Sequence, residues 1–221
     1  MELIYSMLMT SKPIRMGFSL KIKKLKSGIL ATALLFLLSF NVFAQSDVLI
    51  LNQAEEVFNF VKNLNKSNSQ YPPTYVVFDK AISSKCGNIK GSAYCPSEHK
   101  IYLEKNQIRR LYAIGPEALD FIVAHEYAHA MQAQYGFGRV STPLNELQAD
   151  CLAGVYLNAK YKHSKTQTIN ALNVAFATGD MEWFAVAHHG FPEQRLSAFS
   201  IGENISIQSR KNAALACLEV F

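Results

Sequence analysis

A chain of 221 residues with 22 basic and 17 acidic residues carries a formal charge of +5. That excess sits in the first 44 residues, which hold six of the basic residues (Lys12, Arg15, Lys21, Lys23, Lys24, Lys26) and one acidic one (Glu2). The remainder, residues 45–221, is balanced at 16 of each sign. Nothing in that balance suggests a nucleic-acid footprint, and the length of this part suits a single core.

The N-terminal stretch reads as a targeting segment. Lys21 to Lys26 form a basic region, Gly28 to Phe40 a short leucine-rich apolar run, and Val42-Phe43-Ala44 a cleavage-type sequence. The expectation is a signal peptide over 1–44, with Met16 an alternative start, and an exported, periplasmic or secreted protein that meets a membrane only through that segment if it is left uncleaved. Residues 45–221 then form one domain.

Within that domain, Val48 to Leu64 repeats apolar residues at helical spacing (Ile50, Leu51, Ala54, Val57, Phe58, Val61, Leu64). Asn65 to Pro73 is a polar, turn-rich linker. Thr74 to Phe78, Ser92-Ala93-Tyr94 and Lys100 to Leu103 have strand composition.

The decisive segment is His125-Glu126-Tyr127-Ala128-His129. Pro116 suits the first turn of the helix that carries it, and Tyr135-Gly136 suits its end. On a helix, residues four apart share a face. Two imidazoles so placed can grip one metal ion, and the glutamate after the first serves as general base in zinc peptidases. A catalytic zinc needs a third protein ligand and one open position. Thr142-Pro143 opens a second helix, on which Glu146 and Asp150 share a face. Glu146 can be that ligand, and Asp150 can accept a hydrogen bond from the free ring nitrogen of a ligand histidine.

Further helices are expected at Thr168 to Ala177, at Met181 to Ala187, from Pro192, and at Glu203 to Leu218. A small antiparallel sheet packed on several helices gives a mainly helical α+β domain. Four cysteines, Cys86, Cys95, Cys151 and Cys217, are an even count in an exported chain. Three pairings are possible. Cys86 with Cys95, which flank a Gly-rich loop before a strand, and Cys151 with Cys217 is the favoured one.

HExxH followed by ExxAD resembles the gluzincin pattern, and more narrowly the chain resembles the bacterial neutral zinc metallopeptidase family. The likeness rests on Glu146-Leu147-Gln148-Ala149-Asp150-Cys151, on Tyr94-Cys95-Pro96 leading into Lys100 to Glu104, and on His189-Gly190 with Gln194-Arg195. It runs over roughly residues 75 to 221. The chain departs from the family in the short loop Gly136 to Ser141 and in Phe191-Pro192 after His189-Gly190.

The resemblance implies one zinc per chain and a peptidase of the cell envelope acting on protein or peptide. Glu126 would take the proton of the attacking water and pass it to the leaving amine. The tetrahedral oxyanion wants a further donor. His188, His189, Arg195 and Tyr127 are candidates; the resemblance marks His189 and Arg195, and Tyr127 lies off the ligand face and should pack. Lys100 to Leu103 is the nearest strand to which an extended substrate could add. Other readings are an envelope binding or chaperone-like module with a structural or latched zinc, His189 being its fourth ligand, and a zinc hydrolase of cell-wall peptides.

Overall fold

The computed structural model describes residues 27–65, 71–136, 142–162, 164–179, 189–205 and 210–221. The chain divides into two compact units, Met1–Phe43 and Ala44–Phe221. In the first, the backbone is helical from Ser27, the start of helix α1 (Ser27–Leu64); the rest of the expected targeting segment lies outside the described residues. Among those residues no helix is long and apolar enough to cross a membrane. The second unit holds the C-terminal part of α1 and every later element.

Its α1 residues bury Ile50, Ala54, Val57, Phe58 and Val61, the apolar face read from the sequence, while Leu51 stays at the surface. Strands β1 (Thr74–Phe78), β2 (Ile82–Ser84), β3 (Gly87–Ile89), β4 (Ala93–Cys95) and β5 (Lys100–Glu104) come next, then helices α2 (Lys105–Ile114), α3 (Pro116–Tyr135), α4 (Thr142–Lys160), α5 (Lys165–Ala177), α6 (Pro192–Asn204) and α7 (Arg210–Val220). The mainly helical α+β class holds. The principal sheet is mixed rather than antiparallel: its order is β1-β5-β4, with β1 parallel to β5 and β4 antiparallel to it. The β2–β3 hairpin and β4 intervene between β1 and β5, so the chain re-enters the sheet in its original direction.

One helix, α2, was not expected, and the boundary of the last helix differs from expectation. Glu104 caps α2, its carboxylate accepting from the backbone N–H groups of Asn106 (2.9 Å) and Gln107 (2.6 Å); a carboxylate there also meets the positive helix end. Glu203 belongs to α6 and not to the last helix. Asn204 turns its amide back onto the Ser200 carbonyl at 2.7 Å, competing with the helix ladder, and Ile205 is already extended. The last helix starts at Arg210. The helix expected at Met181 to Ala187 lies outside the described residues.

The core gathers around α3, with Leu119, Phe121, Val123 and Tyr127 fully buried and α4 supplying Leu152, Val155 and Leu157. Helices α4 and α6 meet backbone to backbone. A Cβ at Gly202 would stand 1.9 Å from the Cys151 carbonyl oxygen, and one at Gly154 would stand 2.2 Å from that of Phe199. Only glycine permits this approach, which carries Arg195 of α6 against α4. Disulfides join Cys86 to Cys95 and Cys151 to Cys217, with Cα–Cα distances of 5.7 and 5.6 Å. The first fixes the end of β4; the second ties α4 to α7.

Candidate metal centre

Three potential ligand atoms converge where α3 packs on α4. His125 Nε2 lies 3.1 Å from His129 Nε2 and 3.2 Å from Glu146 Oε2, and His129 Nε2 lies 3.5 Å from Glu146 Oε1. Donors each about 2.0–2.1 Å from an ion at tetrahedral angles stand roughly 3.4 Å apart. The observed spacing is compatible with one metal ion held by these three residues.

Both imidazoles commit their other nitrogen. His125 Nδ1 is 2.9 Å from Asp150 Oδ1, and His129 Nδ1 is 2.7 Å from Gln132 Oε1. Oxygen accepts at each, so each Nδ1 carries a proton and each Nε2 is the nitrogen turned towards the other ligand atoms. Two imidazole nitrogens and a carboxylate facing one another at such range accommodate a shared proton or a cation between them. The residues therefore fit a divalent cation.

The electrostatics agree. Glu126, Glu146 and Asp150 are three carboxylates gathered about Arg195, the only fully buried arginine among the described residues. Burial pushes the His125 imidazole towards neutrality, but hydrogen bonds to Asp150 and Glu146 outweigh it and hold its pKa up at about 10. Burial raises the Glu146 carboxyl, yet the two histidines bring it well below its ordinary range. The group thus holds an excess of negative charge that attracts a proton or a metal ion.

Glu126 is 5% exposed, and burial raises its pKa; the charges of His125 and His129, and to a smaller extent the backbone of Tyr94 on β4, counter part of that rise. A cavity of about 720 Å³ opens beside these groups, within the usual range for ligand sites. His125, Glu126, His129, Glu146, His189 and Arg195 all line it, as do Ser92, Ala93 and Tyr94. Asp150 lies behind His125, fully buried.

The oxyanion candidates separate. Arg195 gives Nε to Asp150 Oδ2 (2.6 Å), Nη2 to Asp150 Oδ1 (2.8 Å) and Nη1 to the Thr178 carbonyl (3.1 Å). These bonds clamp Asp150, and Nη2 also stands 3.5 Å from Glu146 Oε2. Tyr127 is fully buried against Phe58 and Tyr156 and does not line the cavity. His188 lies outside the described residues. His189 is exposed and on the cavity wall.

The strand expected to receive substrate needs correction. β5 lies between β1 and β4, so both its edges are paired; β4 is the strand that reaches the cavity. Sequence reasoning also passed over Gln132 and the Tyr94 backbone. Gln132 comes three residues after His129, a spacing that shares a helix face and could have found it. A backbone N–H on a strand has no residue-type signature.

Comparison with known proteins agrees with this geometry. Residues 41–202 match the family described as "putative neutral zinc metallopeptidase". Over 165 residues the chain is 28% identical to the uncharacterized protein YpfJ of Escherichia coli (strain K12), covering 59% of this chain and 57% of YpfJ. Over 102 residues it is 32% identical to the uncharacterized protein Rv2575 of Mycobacterium tuberculosis (strain ATCC 25618 / H37Rv), covering 38% of this chain and 35% of that one. These matches therefore take in about half or less of each relative's length. No solved structure matches. With its ligand set in place and most of its length matched, the chain belongs to the neutral zinc metallopeptidase family.

Proposed function

We propose that the protein is a zinc-dependent endopeptidase of the cell envelope. The observation that carries this reading is the convergence of His125 Nε2, His129 Nε2 and Glu146 at 3.1–3.5 Å, with their fourth side on a cavity. A structural zinc site closes with four protein ligands, whereas a catalytic one keeps a position open. The cavity beside this ligand set supports the catalytic alternative over a binding module with a closed site. Two disulfides support an oxidising, exported compartment.

When bound, zinc supplies Lewis acidity to the scissile carbonyl and to the attacking water. The chain does the rest. His125, His129 and Glu146 are the ligands. Glu126, on the cavity wall with β4, takes the proton of the attacking water and delivers it to the leaving amine. Its raised pKa suits the first task, since a carboxylate of ordinary pKa takes a proton from water less readily. Asp150, clamped by Arg195, fixes the His125 tautomer. To His189, which lines the cavity, we assign the donation to the developing oxyanion. An extended peptide would lie along β4 across the cavity mouth.

The test is hydrolysis of an unfolded protein by the purified chain, with and without a chelator. Glu126→Gln should keep zinc and fold but lose roughly 10³-fold or more in turnover, by removing the base. His189→Ala should lower kcat about 10²-fold with little change in KM, as for a lost oxyanion donor. Chelator-insensitive activity, or near wild-type turnover in Glu126→Gln, would contradict the proposal.

A further inference from the structure

The two ligand imidazoles are supported differently. His125 rests on a carboxylate that is itself clamped by a guanidinium. His129 rests on a neutral amide, Gln132, which is 2% exposed. An amide can accept or donate, so its orientation decides which tautomer His129 adopts.

That orientation is set from the far end. Gln148 Nε2 lies 3.2 Å from the Leu218 carbonyl oxygen, which can only accept, so the Gln148 amide must donate there. Its Oε1 then faces inward and accepts from Gln132 Nε2 at 3.1 Å. Gln132 Nε2 also donates to the Asn145 carbonyl, at 2.8 Å. With both donors spent on α4, Gln132 turns its Oε1 to His129 Nδ1. The imidazole must donate, and its Nε2 is left bare towards His125 and Glu146.

We propose that Gln132 is a positioning residue for the metal centre: its side-chain oxygen holds His129 in the Nδ1–H tautomer, and a relay through Gln148 to the Leu218 carbonyl fixes that oxygen in place. The relay ends beside Cys217, whose bridge to Cys151 anchors α7 on the helix that supplies Glu146. One imidazole is thus tuned by charge and the other by a directional chain of neutral dipoles. Chains of this kind strengthen each member when fully satisfied. This inference rests on the zinc reading above and names the support for one of its ligands.

The experiment measures the zinc dissociation constant of the purified chain by competition with a chelating indicator, in the wild type, Gln132→Leu and Gln132→Glu. Gln132→Leu keeps the bulk and removes the acceptor. It should bind zinc about 10- to 100-fold more weakly, the usual effect of losing a ligand's hydrogen-bond partner. Gln132→Glu restores an acceptor and should recover affinity to within a few-fold of wild type. The melting temperature of the metal-free variants separates a merely structural role, which would lower it in Gln132→Leu and leave the zinc affinity alone.

The imidazole ¹⁵N resonances of His129 in the zinc-loaded wild type give a second readout, independent of any variant. Nδ1 should be the protonated nitrogen and Nε2 the metal-bound one. The reverse assignment, an unchanged zinc affinity in Gln132→Leu, or a loss in Gln132→Glu as large as in Gln132→Leu, would each overturn the proposal. Failure of the wild type to bind zinc would instead overturn the functional reading itself.

Discussion

Asp120 and Asp150 are both fully buried carboxylates in the α3–α4 layer, and they are put to opposite uses. Asp120 accepts from the Gln53 amide at 2.6 Å and the Tyr161 hydroxyl at 2.7 Å, with Lys160 Nζ at 3.4 Å. Its donors come from α1 and the end of α4, and the cluster fastens those elements to α3. Asp150 takes both arms of Arg195 and then the Nδ1–H of His125. Its last partner is an imidazole whose other nitrogen faces the cavity. Both sites obey the rule that a buried carboxylate must be hydrogen-bonded and paired. They differ in where the donors lead, and that difference marks one as structural and the other as part of the metal centre.

The comparison is broken most forcefully at Asp150. Asp150→Asn takes from the buried Arg195 guanidinium the carboxylate that accepts two of its hydrogen bonds and leaves Glu146 at 3.5 Å as its nearest counter-charge, at a cost of about 3 kcal/mol in stability. It also removes the acceptor that orients His125, so zinc affinity should fall roughly 10- to 100-fold. Asp120→Asn is the control. It disturbs the Lys160 pairing and should cost about 1–3 kcal/mol, with zinc affinity unchanged. Denaturant titrations and zinc competition on the two variants check this. Equal losses of zinc affinity would erase the distinction.

A third carboxylate sets the lower bound. Asp47 joins the same domain at the surface, bonded to Arg109 Nε at 2.8 Å and Nη2 at 2.6 Å, with Lys105 at 3.3 Å. The Arg109 hydrogen bonds hold its pKa down at about 2, below the ordinary value of about 3.9 expected in the unfolded chain. A carboxylate with a depressed folded pKa contributes stability that is complete above the unfolded value and is lost as pH falls through the folded one. The stability difference between wild type and Asp47→Asn should therefore be constant from pH 7 to about 5 and shrink between about 4 and 2. It should be small, as for exposed ion pairs. A difference that grows with acid would refute the assignment.

The range of each interaction decides how much of this was legible in the sequence. His125, Glu126 and His129 lie on one helical face by spacing alone, and Glu146 with Asp150 repeats that logic one helix later. Pro116, Gly136 and Pro192 mark helix ends through backbone chemistry of their own; Gly136 takes φ 77° and closes α3. The disulfides join the expected partners. The parallel pairing of β1 with β5 was not legible, because direction depends on the route of the chain between them and not on either strand's pattern. Helix α2 was missed because its cap is Glu104 rather than a Ser, Thr, Asp or Asn. The α4–α6 contact was invisible in another way. Gly154 and Gly202 stand 48 positions apart, and only packing shows that each makes room for the other helix's backbone.

Metal content decides whether the convergence of His125, His129 and Glu146 is a zinc site. Elemental analysis of the protein purified without added metal tests it most directly, with His125→Ala and Asp120→Asn alongside. The expected result is one zinc per chain in the wild type and in Asp120→Asn, and none in folded His125→Ala. A wild-type protein that is metal-free and cannot be loaded with zinc would contradict the zinc reading.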